Sequence, residues 1–113
     1  MDILLSQIGK RILKRRKQMR FTQEELSERS GITPQTISYA ELGKKALRPE
    51  NIIKICSALE ISTDYLLLGR ISDRDTSFLD QKILGLTPEQ YRYLEDIINS
   101  YISAVSTAFT DKA

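Results

Sequence analysis

The run TQEELSERSGITPQTISYAELG, residues 22–43, restricts the fold more than any other part of the chain, because it carries two sets of helix start and stop signals almost back to back. Thr22 and Glu25 have the spacing of a capping box, in which the Thr hydroxyl accepts from the Glu25 amide and the Glu carboxylate accepts from the Thr22 amide. The residues that follow, QEELSERS, are mostly good helix formers, with Leu26 directed inward and Glu24, Glu25, Glu28 and Arg29 left to solvent. Gly31 ends this helix, since a residue without Cβ takes the left-handed exit at little cost. Thr33 is then an N-cap and Pro34 stands at a first helical position, where its missing N–H and fixed φ suit the start of a second helix. Gly43 supplies the stop after Glu41 and Leu42. The prediction is two short helices joined by a tight turn.

The second of these helices has an unusual outer face. Ile37 and Ala40, three apart, pack inward and leave Gln35, Thr36, Ser38 and Tyr39 facing out. An ordinary surface helix carries Lys and Glu there; this one carries amide, hydroxyl and phenol groups. Such groups donate or accept at base edges: an amide matches the adjacent acceptor and donor of adenine, and Thr or Tyr packs against a thymine methyl. The bland alternative is a solvated polar face. The tight turn before it and the positive charge around it favour the reading as a helix that meets DNA.

With these motifs in view, residues 6–69 resemble the helix-turn-helix domain of the phage repressor and Cro type, the XRE family. The resemblance implies an all-α, five-helix, lambda-repressor-like domain that binds double-stranded DNA. It places Gln23 at the start of the first motif helix, against phosphate or base, and Thr33, Gln35, Thr36 and Tyr39 at the groove, where Ser38 joins them as part of the same outward face. Lys44, Lys45 and Arg48 fall in the loop that follows the DNA backbone, and Arg16 and Glu41 match a structural ion pair. The chain departs from the family pattern in three places. Pro34 occupies a position where some relatives read a base with Gln, Ser30 stands where an aliphatic residue is more often buried, and Ser27 replaces a small Ala at the helix crossing.

Charge agrees with this reading only once the chain is divided. The net charge is +2 over 113 residues, yet residues 1–71 carry 13 Lys or Arg against 8 acids, and residues 72–113 carry 4 against 7. The densest cluster, Lys10, Arg11, Lys14, Arg15, Arg16, Lys17 and Arg20, lies on a helix whose buried stripe is Ile8, Ile12 and Leu13. About half of these cations are expected to be a solvated face and the others to attract phosphate without regard to sequence. The single Cys56 shares the apolar side of a helix opening near Pro49 with Ile52, Ile55 and Leu59. It reads as a small buried hydrophobe rather than a redox switch. No signal peptide or membrane-length apolar run is present, and a cytoplasmic protein is expected.

Further along, residues 49–59 form a fourth helix, and Ser62 caps a short fifth, TDYLLL, closed by Gly69. The first domain is thus expected over 1–69. Residues 70–86 read as a linker: RISDRDTS is polar, and Phe78, Leu79, Ile83 and Leu84 suggest a brief helical turn before Gly85. A C-terminal amphipathic helix follows over 87–110, opened by a capping box of Thr87 and Gln90 with Pro88 at its first position. Tyr91, Leu94, Ile98, Tyr101 and Val105 recur in steps of three and four, with Ile97, Ile102 and Phe109 widening the stripe. The expected use of this face, centred on Tyr91, Leu94, Ile98, Tyr101, Ile102 and Val105, is homodimerisation; folding back on the domain or docking an antagonist protein are the alternatives.

Enzymatic chemistry finds no support: the chain has no His, one Cys, no phosphate-cradling Gly-rich loop and no metal-ligand spacing, so no cofactor or metal is expected. Two function classes remain. One is a sequence-specific transcriptional regulator, expected to be a repressor that binds an inverted repeat as a dimer; the other is an interaction module, an antitoxin or adaptor, whose C-terminal helix grips a different protein.

Overall fold

The computed structural model describes residues 3–111, with side chains placed as far as Ser106. Among the described residues seven helices follow one another: α1 (Ile3–Gln18), α2 (Gln23–Ser30), α3 (Pro34–Glu41), α4 (Pro49–Leu59), α5 (Thr63–Leu68), α6 (Asp73–Leu84) and α7 (Pro88–Asp111). The described residues contain no strand, and no described helix is long and apolar enough to cross a membrane. The chain divides into two units, Met1–Phe78 and Leu79–Ala113.

The first unit is an all-α, lambda-repressor-like domain built around one apolar cluster. Ile12, Leu26, Ile37, Ile55, Leu59 and Leu66, drawn from all five of its first helices, are fully buried, and Ile32, Ala40, Cys56 and Ile61 fill the gaps between them. Burying a side chain of this size contributes about 1.5–3 kcal/mol, so these contacts dominate the domain's stability. Gly9 lets α1 lie directly on the end of α3: a Cβ there would collide with the carbonyl oxygens of Ala40 and Glu41. Ser30, which replaces the commoner aliphatic residue, is buried without cost to its hydroxyl. Its Oγ donates to the Leu26 carbonyl at 2.7 Å and accepts from the Ile32 amide at 3.2 Å.

Cys56 is 5 % exposed, and its thiol is pushed up to about 11 by burial and, second, by the Asp75 carboxylate. At neutral pH it is therefore held as the uncharged thiol, the form in which cysteine packs as a small hydrophobe rather than reacting.

Two features of the first unit depart from the expectations. Residues 70–77 have the composition of a polar linker, but helix α6 begins at Asp73, so only a short connection separates it from α5. The cause is Asp75, whose carboxylate accepts from the Ser72 amide at 2.8 Å and from Ser72 Oγ at 3.2 Å, closing a capping arrangement over the first turn. The compact unit runs to Phe78 and takes in the start of α6.

The second departure concerns the basic cluster of α1. Arg11 Nη1 donates to the Leu66 carbonyl at 3.0 Å, Arg15 Nε to the Leu59 carbonyl at 2.9 Å, and Arg16 Nη1 to the Phe21 carbonyl at 2.9 Å. Leu59 and Leu66 lie at the C-terminal ends of α4 and α5, where carbonyls lack intrahelical partners and the dipole favours a cation. Three guanidinium groups of the cluster thus brace the domain from within, leaving Lys10, Lys14, Lys17 and Arg20 exposed.

In the second unit Thr87 and Gln90 form a reciprocal capping box, at 2.9 and 3.2 Å, that opens α7. Along α7 Leu94 and Val105 are half-buried, while Tyr91, Ile97, Ile98, Tyr101 and Ile102 are exposed. Phe109, expected to widen the stripe, has its side chain outside the described residues.

Candidate nucleic-acid interface

The two motif helices stand where their capping residues put them. Thr22 Oγ1 accepts from the Glu25 amide at 3.0 Å and the Glu25 carboxylate accepts from the Thr22 amide at 3.2 Å, so α2 starts at Gln23. Gly31 closes it at φ +75°, in the left-handed region. Three residues later Pro34 opens α3, and Thr33 Oγ1 accepts from the Thr36 amide at 3.2 Å.

Buried contacts fix α3 to the rest of the domain. Ile37 and Ala40 enter the core, and the Glu41 carboxylate gathers three donors: Arg16 Nε at 2.7 Å, Arg16 Nη2 at 3.1 Å and Gln23 Nε2 at 2.9 Å. The side chains of Arg16 and Glu41 are 12 % and 5 % exposed, so this bidentate pair works in a poorly solvated setting. Such a pair adds little net stability over an apolar substitute, but removing one partner strands the other and costs about 3–5 kcal/mol. Its consequence is geometric, since it ties α1, the start of α2 and the end of α3 together. Gln23, expected against phosphate or base, spends one amide N–H on Glu41 and keeps its other N–H and its carbonyl oxygen.

The outward face of α3 is left over by these contacts. Gln35 is exposed, and Thr36, Ser38 and Tyr39 are half-exposed. Gln35 Nε2 donates to the Tyr39 hydroxyl at 3.0 Å, one helical turn away, which leaves a donor and an acceptor of the amide pointing outward. Thr33 Oγ1 donates to Thr36 Oγ1 at 2.8 Å. Lys45 Nζ lies 4.9 Å from the centre of the Tyr39 ring, a cation–π contact worth about 0.5–1 kcal/mol at an exposed site. Gln35, Thr36 and Tyr39 share an open cleft of about 370 Å³ with Lys45, Leu47 and Arg48.

Of the other expected site residues, Thr33, Ser38 and Lys44 do not line this cleft, although Lys44 is exposed on the same loop. Asn51 does line it, from the first turn of α4. Sequence reasoning passed over Asn51 because it sits within an amphipathic helix, three residues after Arg48, and nothing local shows that this turn faces α3. Arg48 reaches only a loose surface contact with Glu50 at 3.9 Å, which leaves its charge available. Among the described residues no three of His, Cys, Asp or Glu come together as a metal would require.

The site is thus an uncharged hydrogen-bonding helix flanked by exposed cations and braced from behind by a buried ion pair. The helix-turn-helix family profile HTH_3 matches residues 12–66. An HTH-type transcriptional regulator of Bacillus subtilis, YqaE, is 31 % identical over 81 residues, covering 72 % of this chain and 69 % of that protein. This chain belongs to the XRE-type helix-turn-helix family of transcriptional regulators. The regulator is also 32 % identical over 71 residues to repressor protein C2 of Salmonella phage P22, covering 63 % of this chain but only 33 % of that one. Among solved structures, the restriction-modification controller protein C.AhdI of Aeromonas hydrophila aligns with a TM-score of 0.53 at 29 % identity, over 55 % of this chain and 94 % of its own. A chain from a SinR protein/SinI protein complex aligns with a TM-score of 0.54 over 85 % of this chain and 98 % of its own. At 24 % identity that match speaks to the fold alone.

Proposed function

We propose that this regulator is a sequence-specific repressor that binds an inverted-repeat operator as a homodimer, each subunit laying α3 into a major groove. The single observation that carries the reading is the outward face of α3, where Gln35, Thr36 and Tyr39 share one cleft with Lys45 and Arg48. Amide and hydroxyl groups read base edges, and the adjacent cations supply the sequence-independent attraction to phosphate. Lys44, Lys45 and Arg48 then follow the backbone, Ser38 and Thr33 border the groove, and Gln23 donates to a phosphate with the amide N–H that Glu41 leaves unused. The likeness to a phage repressor supports repression as the outcome.

The second unit supports the dimer reading. Tyr91, Leu94, Ile98, Tyr101, Ile102 and Val105 recur along α7 at helical spacing, and much of that face is exposed. A second copy would cover it and bring two recognition helices to one duplex, whose successive major-groove faces lie about 34 Å apart. The exposed face also suits an antagonist protein, which would act by competing with the second copy.

Selection from a random duplex pool, followed by titration against salt, tests the proposal. The expected result is a symmetric pair of half-sites and a steep salt slope with a sequence-dependent remainder. Gln35→Ala should cost about 1–3 kcal/mol on the selected site and relax preference at one base pair, whereas Lys44→Ala should weaken all duplexes alike. Equal losses on selected and random DNA from Gln35→Ala would remove it from the base-reading set.

A further inference from the structure

The densest polar contact outside the α3 face centres on a carboxylate that the recognition chemistry does not use. Asp75, in the first turn of α6, accepts four hydrogen bonds: from the Ser62 amide at 2.8 Å, Ser62 Oγ at 2.6 Å, the Ser72 amide at 2.8 Å and Ser72 Oγ at 3.2 Å. Ser62 is buried and is itself the N-cap of α5, its Oγ accepting from the Tyr65 amide at 3.0 Å. One carboxylate therefore fastens the beginning of α6 to the beginning of α5. Burial alone would push the Asp75 carboxyl up, but the hydrogen bonds from Ser62 and Ser72 outweigh it and hold the group below the usual carboxylate range.

Chain continuity gives this clamp a use. Helix α6 runs unbroken from Asp73 to Leu84, whereas the compact unit that contains the clamp ends at Phe78. The root of the helix is locked and its far half belongs to the second unit. A helix is a semi-rigid spacer, while a polar stretch of the same length without a lock is a flexible tether.

We infer that Asp75 is a positioning residue for operator recognition, rooting α6 on the DNA-binding unit so that the dimer accepts a narrow range of half-site spacings. The inference rests on the homodimer reading above. Each added base pair moves the second half-site along the duplex and rotates it about the axis, so a stiffly connected dimer matches few spacings. A tethered dimer spreads its effective concentration over many.

Two variants of the full chain test this. Asp75→Ala removes the clamp; two glycines inserted after Phe78 interrupt α6 and leave Ser62, Ser72 and Asp75 in place. The probes are duplexes with two inverted copies of the half-site selected from a random pool, their separation stepped by single base pairs around one helical turn. For the unmodified protein, affinity should fall about tenfold or more between the best spacing and one two base pairs away; both variants should flatten that difference to about two- to threefold. Affinity for a duplex with a single half-site should change by less than about twofold. Sedimentation run in parallel separates the failures. Dimeric variants with an unaltered spacing profile would overturn the coupling and leave the homodimer reading standing, whereas an unmodified chain that sediments as a monomer overturns both. A profile flattened by the glycines but not by Asp75→Ala would overturn the role of Asp75.

Discussion

The two units spend their apolar side chains in opposite ways. In Met1–Phe78, Ile12, Leu26, Ile37, Ile55, Leu59 and Leu66 are fully buried, whereas in Leu79–Ala113 no described side chain is buried, and Ile97 and Tyr101 are 65 % and 70 % exposed. Both hold long amphipathic helices, so the difference lies in what each helix meets within its own chain. The apolar stripe of α1 is covered by α3 and α5, and the outer face of α3 is consequently free to be polar. The stripe of α7 gains most of its stabilisation only when something else covers it. On the homodimer reading proposed above, the closed surface presents the reading helix and the open one serves assembly.

Among the substitutions that test this contrast, Gly9→Ala is expected to have the largest effect. The carbonyl oxygens of Ala40 and Glu41 are backbone atoms at the end of α3 and cannot rotate away from an added Cβ, so Gly9→Ala must push α1 off α3. Overpacking of this kind, with no flexible side chain to give, should cost about 3 kcal/mol and displace Glu41 from Arg16 as well. Chemical denaturation of a chain ending at Phe78 measures it directly. A loss below about 1 kcal/mol would mean that α1 and α3 are less tightly fitted than the geometry requires.

The contrast between the units predicts the reverse pattern on α7. Ile98→Asp places a charge in the centre of the exposed stripe and should weaken self-association by about 2 kcal/mol or more, while moving the stability of the first unit by less than about 0.5 kcal/mol. Sedimentation equilibrium reads the first quantity and a melt of the Met1–Phe78 fragment against the full-length variant reads the second. Should Ile98→Asp leave the association state untouched and instead lower the melting of the first unit, α7 would be covering its own domain.

How much of this was legible beforehand depends on whether the cause is local. Capping boxes, Pro34, Gly31 and the three- and four-residue steps of α7 act within a turn or two, and the helices they announce are present. Ser72 and Asp75 have the same capping spacing, yet the stretch RISDRDTS reads as a linker because its charges obscure that signal. The decisive partner, Ser62, lies a helix away. The basic cluster of α1 shows the same limit: seven cations within the eleven residues 10–20 are visible, but which of them turn inward depends on where the carbonyls of Leu59, Leu66 and Phe21 come to rest. Arg20 adopts φ +60° at the end of α1, a left-handed exit that glycine would ordinarily mark. Its amide bonds to Lys17 O and that of Phe21 to Arg16 O, satisfying the helix end without one. On the α3 face, residue types suggested the chemistry, whereas the cleft shared with Asn51 required the path of the loop.

The smallest effect expected is also the one that locates the border between the two units. Because the Asp75 carboxyl is held below its ordinary value in the folded chain, its contribution is fully present above the unfolded pKa of about 3.9 and is lost as pH falls through that value and then through the folded one. Other carboxylates titrate in the same range, so the quantity to measure is the difference in urea stability between the parent and Asp75→Asn, both ending at Phe78. That difference should be level above about pH 5 and shrink toward zero below about pH 4, since protonation makes the parent resemble the variant. A difference that stays constant down to pH 3 would mean that Asp75 is not ionised against Ser62 and Ser72. The domain would then end where its fifth helix does, with α6 belonging wholly to the open half of the molecule.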